Sequence, residues 1–559
     1  MWLDSTDLST ITYNAFGNDV TQWRDKSRNG FTFVPLRQQD RPFRSTNSIL
    51  FSQVSSFQFI SQQTIPALST LDYFCVVTPN SLLGPRQPFF DSGDITVSET
   101  DNRFNTQVYA DGNEVFRTVP TLSNGRGATI YRGDLFIGND VNIIPNFLQR
   151  YNSNTRAFER WDPSVNNSFI RSLSVYNGQL HAAVGPGIFG PGGTSRIDFF
   201  NGSTSFVSTN VISSASYGPI VYNRQLYTYS YGSLDSRSNA NTRPQLFRYN
   251  DGQNVFSNIA QLQTIITANA SCNQYPQGAI VYKGDLYIYG FGDGNNNIVT
   301  RFSENFYNSN FIANQNVATQ TSAIFNGSLI LGRNDQRLFR WNDNVYQNFG
   351  RLLFGNPPGG MVAYKGNLWV MKNVNQGGSN TVEIFSGETG GPFSNAVFSQ
   401  VTANTTNVTP TNGMIVHDGK LFMNANTNTF WYEYGNGTTL DMSFSTFRGA
   451  PILLQIRKTP TVTQMYINGN LLETIPVNFT YSNQPARFVY VGGAAGTMNG
   501  SYWSDPGSDH FEGAIHSIVE YSAALSVSDR QLVEGILSWQ FGIQNVLPAD
   551  HPYRNTPPS

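Results

Sequence analysis

Four arginines, Arg150, Arg248, Arg301 and Arg340, recur inside similar short apolar and aromatic stretches of one 559-residue chain. Guanidinium groups repeated at one position of a repeating unit suit an anion, and an anionic glycan is the ligand such a ring would take. The plainer reading of the same arginines is four solvated strand positions. Catalytic chemistry is harder to assemble. Glycoside hydrolysis needs two carboxyl groups about 5–10 Å apart in a cleft. The nearest run, Ser98-Glu99-Thr100-Asp101-Asn102-Arg103, has two acids and no third. The 5 histidines are His181, His417, His510, His516 and His551, and none has the spacing of a zinc motif. No Gly-x-Ser-x-Gly elbow and no phosphate loop occurs. The sequence therefore predicts a protein that binds, not an enzyme.

The elements that must position these residues form a repeat. An apolar strand ends in an aromatic residue or histidine, a two-residue turn follows, and a second strand begins near leucine. The copies are Ile130 to Leu135, Val175 to Leu180, Val221 to Leu226, Val281 to Leu286, Ile324 to Leu329, Ala363 to Leu368 and Val416 to Leu421. Turns such as Asn177-Gly178, Asn326-Gly327 and Asp418-Gly419 supply the positive φ that a tight hairpin demands. A third strand follows each hairpin and carries the arginines: Phe147 to Asn152, Leu246 to Asn250, Val299 to Phe302 and Leu338 to Asn342 are examples. A fourth strand can follow, as at Asn254-Val255-Phe256. The unit is about 40–60 residues long, the size of one four-stranded propeller blade. Seven such units stacked in a ring would bury faces that none buries alone. The pattern resembles Kelch-type propellers over residues 119–437.

Composition agrees with an all-β chain. Charged residues are 13% and aromatic residues 14%, and Gly numbers 50. Polarity comes from Asn, Ser, Thr and Gln, which suit short strands and tight turns. A formal net charge of -2 offers no basic field for nucleic acid. No apolar run is long enough to cross a bilayer as a helix, so no membrane insertion is expected. The two cysteines, Cys75 and Cys272, have no metal or redox spacing and read as free buried thiols. Sequons such as Asn201-Gly202-Ser203 read as turns, and the N-terminal residues lack the pattern of a secretory signal.

The flanks differ from the repeat and complement each other. The N-terminal flank has Trp2-Leu3-Asp4, then Gln22-Trp23-Arg24-Asp25-Lys26-Ser27-Arg28-Asn29-Gly30, then the strand Tyr73 to Val77. The C-terminal flank has the strand Ile452 to Arg457, the hairpin Tyr466-Ile467-Asn468-Gly469 and the strand Phe511 to Tyr521. These stretches resemble the concanavalin A-like lectin/glucanase class in its laminin-G-like form. The resemblance implies a two-sheet jelly roll that neither flank is long enough to build alone. The expected organisation is a first jelly-roll half at 1–118, an inserted seven-bladed β-propeller at 119–437 and a second half with one short helix at 438–546. An extended tail occupies 547–559. Ser526 and Asp529 open the helix in the manner of a capping box, and Leu532, Val533, Ile536, Leu537, Trp539 and Phe541 give it an apolar face. Residues 105–109 and 114–117 are read either as jelly-roll strands or as the strand that closes the seventh blade.

The laminin-G-like resemblance implies rim calcium, for which Asp25, Asp91 and Asp94 offer oxygens. Glycanases of the class carry a Glu-x-Asp-x-x-Glu strand, which this sequence lacks. The ending Leu547-Pro548-Ala549-Asp550-His551-Pro552-Tyr553 resembles laminin-G-like domains in virion proteins of tailed phages and large DNA viruses. It implies a surface protein made in the host cytoplasm and carried on the virion as a decoration, spike or tail-associated adhesin. Its partners would be other virion proteins and host glycan. A polysaccharide or sialic acid hydrolase and a ligand-free capsid cement are the alternatives.

Overall fold

A computed structural model describes the strands, helices and adjoining turns of residues 1–559. It leaves out 52–57, 80–86, 109–116, 139–145, 186–195, 210–215, 231–245, 259–274, 292–298, 303–318, 373–380, 386–397, 403–412, 477–488, 493–498, 501–510 and shorter connections. The chain is all-β with one α-helix, Val527–Gln540, among the described residues.

Seven small antiparallel sheets follow one another from residue 128. The first contains Ala128–Tyr131, Asp134–Ile137, Asn146–Asn152 and Ala157–Val165. Each later sheet repeats the order of the first three strands, starting with Phe169–Tyr176, Ser216–Tyr222, Tyr275–Tyr282, Thr319–Phe325, Pro358–Tyr364 and Met414–His417, and the sheet starting with Tyr275–Tyr282 has three strands among the described residues. The first strands of consecutive sheets touch in order, and that of the seventh touches that of the first. Arg117–Pro120, which precedes all seven, pairs with Phe430–Tyr434 and completes the seventh sheet. Arg103–Val108 instead pairs with Thr438–Ser443 in a separate sheet. Sheet membership thus changes between Val108 and Arg117, and changes back between Tyr434 and Thr438.

Aromatic stacking explains why the repeat ends its first strand in a ring. Tyr131 meets Phe200 of the second sheet at 6.5 Å, Tyr176 meets Tyr249 of the third at 6.1 Å and Tyr222 meets Phe302 of the fourth at 5.9 Å. His417 of the seventh sheet meets Tyr151 of the first at 6.1 Å. Each ring reaches the third strand of the next sheet, where edge-on pairs add about 0.5–1.5 kcal/mol to their buried area.

The first strands also carry a small residue four places before that ring: Ser172, Gly218, Gly278, Thr321, Gly360 and Gly413. A β-bulge falls there in the second through sixth sheets. A Cβ on Gly360 would lie 3.4 Å from the Cα of Gly413, so small residues let neighbouring first strands approach. Pro219, Pro276 and Pro358 sit on these strands too, as the edge of a sheet permits. Asn499–Gly500 pairs with Gly360 and Met361 on that edge.

The two flanks build two larger sheets together. One has eight strands, and in it Leu71–Pro79 lies between Ile452–Lys458 and Gly513–Tyr521. Cys75 faces Leu454 on one side and Ile518 on the other. The second sheet has nine strands, with Tyr490–Val491 between Phe59–Ser61 and Gln87–Asp91. Both contribute to one buried cluster, including Trp23, Phe33, Phe59, Tyr73, Phe90 and Leu454. Full burial of such side chains contributes about 1.5–3 kcal/mol each. Burial pushes the free Cys75 thiol up to about 12, so it stays protonated. Cys272 lies outside the described residues.

The helix packs on the other face of the eight-stranded sheet, where Val533 and Leu537 meet Phe74, Val76 and Leu453. Ser526 caps it, its Oγ accepting from the Asp529 N–H at 3.1 Å. Ile536 is exposed, whereas Glu534 is buried. The reason lies in the residues after 546, which dock on the helix where the sequence predicts an extended tail. Glu534 sits between Arg530 at 2.5 Å and His551 at 3.0 Å. The Trp539 indole N–H donates to the Tyr553 carbonyl at 2.7 Å, and Arg554 to the Leu547 carbonyl at 2.6 Å. No helix among the described residues is long and apolar enough to cross a membrane.

Candidate functional site

The strand Trp2–Asp4 lies antiparallel along Gly513–Tyr521, with Trp2 facing Val519 and Asp4 facing Ser517. Met1 extends the pairing, since its nitrogen donates to the Glu520 carbonyl at 2.9 Å while its carbonyl takes the Glu520 N–H at 2.8 Å. The loop 25–31 then folds against this strand. Asp25 is buried, and its Oδ1 accepts from the Trp2 N–H at 2.7 Å and the Ser27 N–H at 2.8 Å. Its Oδ2 accepts from the Ser27 hydroxyl at 2.6 Å. Gly30, at φ +61 with open space where a Cβ would be, lets the loop turn back so that the Asp25 N–H reaches the Phe31 carbonyl at 2.7 Å.

Charge then fixes the strand from the other side. The Lys26 ammonium is 2.8 Å from Asp4, 3.5 Å from Asp7 and 4.1 Å from the centre of the Trp2 ring. Gln540 of the helix donates to both Asp4 oxygens, at 3.0 and 3.1 Å. Burial alone would raise the Asp4 carboxyl. The bonds from Lys26, Thr6 and Gln540 outweigh it and hold that carboxyl below its ordinary value.

Between this loop, the end of Gly513–Tyr521 and the segment 65–68 lies an open cleft of about 490 Å³. Trp2, Phe31 and Tyr521 bring aromatic rings to it, and Ile65, Pro66 and Leu68 an aliphatic side. Ser27, Asn29, Glu520 and Ser522 bring polar groups. A volume of this size with few polar groups among apolar ones is typical of small-molecule sites.

Comparison with protein-family models finds none that matches this chain, and comparison with curated proteins finds no match either.

The four arginines stand on the third strands of four different sheets, facing Phe136, Tyr227, Tyr287 and Ile330 in register. The positions are equivalent and lie on four separate sheets. Arg150 is exposed, 3.5 Å from Asp134. Arg301 Nε donates to Asp285 at 2.6 Å. Arg340 is buried over the Phe349 ring at 5.2 Å, and Arg248 is exposed. Each third strand is two strands away from the edge where the sheets meet.

Of the three aspartates considered for calcium, Asp25 and Asp91 are described. Three N–H or O–H donors point at Asp25, so the loop itself already engages both of its oxygens. Asp91 is buried on Gln87–Asp91, facing Thr96 and Tyr490, and Asp94 lies outside the described residues. Among the described residues no group of three His, Cys, Asp or Glu could hold a metal. Glu99 lies on Ile95–Thr100, and Asp101 and His510 are outside the described residues. His516 contacts the Asn47 carbonyl at 2.9 Å and the Thr78 hydroxyl at 3.0 Å, His417 packs edge-on against Tyr151, and His551 meets the Glu534 carboxylate.

The cleft itself has no local signature. Trp2 and Tyr521 line one cleft because the first strand pairs with the last, and Asn29-Gly30 reads in sequence as a fold motif alone.

Proposed function

We propose that this chain is a virion surface protein that docks on the particle and binds host-surface glycan. In this reading the paired flanks are a laminin-G-like jelly roll, and the seven sheets are the blades of a β-propeller inserted into it. The observation that carries the reading is the order of contacts. Consecutive first strands touch, the seventh returns to the first, and Arg117–Pro120 completes the last sheet from the other end of the repeat. A ring closed this way brings its two ends together, which makes it easy to insert at a surface loop of a host domain. The pairing of Leu71–Pro79 with Ile452–Lys458 supports the host domain.

Two details support the assignment to a particle surface. The ending that resembles virion proteins is a built element whose His551 and Tyr553 pack on the helix. The aromatic cleft supplies a place for a ligand on the jelly-roll portion. The test has two arms: antibody labelling of purified virus particles from the source, and a glycan array probed with the intact protein. Surface labelling together with reproducible glycan hits is the expected result. Absence from particles combined with an array without hits would retire the reading.

A further inference from the structure

We infer that Asn499–Gly500 is a strap: a strand of the second flank laid inside the cycle of small sheets, locking their orientation on the two large flank sheets. This rests on reading the seven sheets as a ring and is independent of what the protein binds.

The strap is defined by its partners. Gly500 faces Gly360 and Asn499 faces Met361, on the free edge of the first strand of the sixth sheet. The same strand touches the first strands of the fourth and fifth sheets, Tyr275–Tyr282 and Thr319–Phe325. First strands that touch one another around a closed cycle are the innermost of their sheets. A strand on their free edge therefore lies inside the cycle. An open inner edge is a row of unpaired N–H and C=O groups, and the strap pairs part of it. Glycine on both sides of the pairing suits the crowding, since a Cβ on Gly360 would already stand 3.4 Å from the Gly413 backbone.

The root of the strap is built into the flank core. Val491 pairs with Phe59 and Phe90. Gly492 then turns at φ +80, where a Cβ would run into the Phe51 ring, so only glycine fits. The chain is back in the core at the buried Phe511, whose N–H donates to the Gly492 carbonyl at 3.0 Å and whose ring stands 6.4 Å from that of Phe51. The excursion thus begins and ends at one point of the flank core. Residues 492–504 include no Asp, Glu, Lys, Arg or His, so bringing the strap inside the cycle strips no neighbouring ion of its water.

The need for a lock follows from the connections. Along the chain the ring joins the flanks at two crossings, between Arg103–Val108 and Arg117–Pro120 and between Phe430–Tyr434 and Thr438–Ser443. The strands on each side of the change are paired, so the crossings lie side by side and act as a hinge. Motion about such a connection is the ordinary behaviour of joined domains. A third attachment at the centre of the ring lies off the hinge and stops it.

The experiment uses the intact chain with Cys272→Ser, Cys75 being buried. Cysteine pairs are placed at register partners, whose Cα spacing suits a disulfide. Met361→Cys with Asn499→Cys tests the strap, and Thr118→Cys with Tyr432→Cys tests the closure of the ring. Leu173→Cys with Asn499→Cys, on the second sheet, is the control. The first two pairs should close under mild oxidation and the third should stay reduced. Spin labels at Val207→Cys and Leu471→Cys, exposed positions on the ring and the flank, then read the lock by pulsed electron resonance. The distance distribution should be narrow in the parent and about twofold broader when Asn499→Pro and Gly500→Pro remove the N–H donors of the strap. Failure of the 361–499 pair alone, or closure of the 173–499 pair, overturns the strap and leaves the ring standing. Failure of both the 361–499 and the 118–432 pairs overturns the ring reading as well. Equal widths for the parent and the proline variant overturn the lock.

Discussion

The hydroxyl of Tyr151 donates to the Glu433 carboxylate at 2.6 Å, across 282 residues of sequence. Tyr151 belongs to the first of the seven small sheets and Glu433 to the seventh. Lys420 stands 3.7 Å from the other Glu433 oxygen, and His417 and Phe422 pack on the Tyr151 ring. The last sheet is thereby fastened to the first by a charge-assisted bond inside an aromatic cluster. Tyr151→Phe should cost about 1–3 kcal/mol, because it leaves a buried carboxylate oxygen without its donor. Glu433→Ala should cost about 3–5 kcal/mol, since it strands Lys420 as well. Urea unfolding followed by tryptophan fluorescence measures both. Equal midpoints for the variants and the parent would show that the seventh sheet is not held to the first in this way.

Asp25 offers a test of the loop that walls the cleft. Its two oxygens accept from three donors, so Asp25→Ala should cost about 2–4 kcal/mol through donors left unpaired. The same geometry predicts indifference to calcium. Adding a chelator, or millimolar calcium, should leave the thermal midpoint of the parent protein where it was. A calcium-dependent rise in that midpoint, absent in Asp25→Ala, would contradict the assignment of this carboxylate to the loop.

His181 gives a pH prediction. It is fully buried among Tyr176, Phe199 and Tyr249, and burial pushes its imidazole from 6.5 down to about 3. The folded protein keeps it neutral, while the unfolded chain charges it below its ordinary value. Its contribution is therefore complete above that value and is lost as pH falls toward the folded one, by about 1.4 kcal/mol per pH unit. The equivalent positions in the other sheets are Phe136, Tyr227, Tyr287, Ile330, Trp369 and Phe422, five rings and one aliphatic side chain, so an apolar ring fits there. His181→Phe should match the parent at neutral pH within about 1.5 kcal/mol. It should lose stability less steeply between about pH 6 and 4. Parallel pH profiles would show that the imidazole titrates normally.

What the sequence made legible follows its local signals. The hairpin turns and terminal rings of the repeat are short-range features, and each marks a strand pair in the structure, Tyr131 with Asp134 and Tyr176 with Gln179 among them. The Ser526 cap was equally readable, because capping is a matter of three residues. Partners set by tertiary pairing were not. The small residue before each ring, such as Gly360 beside Gly413, has meaning only once two first strands are neighbours. Residues 105–108 and 117–120 look alike as strands, yet one joins Thr438–Ser443 and the other Phe430–Tyr434. The four arginines were grouped by repetition alone, and repetition says nothing about whether side chains converge. The Trp2 and Tyr521 cleft was invisible for the opposite reason, since its walls come from the two ends of the chain.

The docked C-terminal segment explains a misplaced helix face and yields the last prediction. Apolar periodicity assigns Ile536 to the buried side, but that residue is exposed, and Glu534 and Gly535 are buried in its place. Glu534 is held by Arg530 and His551, while a Cβ on Gly535 would come within 2.6 Å of the Tyr553 Cβ. The helix therefore carries two faces: Val533 and Leu537 toward the sheet, Glu534 and Gly535 toward residues 551–553. Gly535→Ala inserts one methyl group into the second face and leaves the first untouched. It should cost about 1–3 kcal/mol by pushing Tyr553 away, and it should free the Trp539 indole N–H from the Tyr553 carbonyl. Indole hydrogen exchange by NMR and limited carboxypeptidase digestion read that release directly. Faster exchange at Trp539 and trimming of the last residues in the variant are the expected outcome. If exchange and digestion match the parent, the segment is not seated on Gly535, and the burial of Glu534 needs another cause.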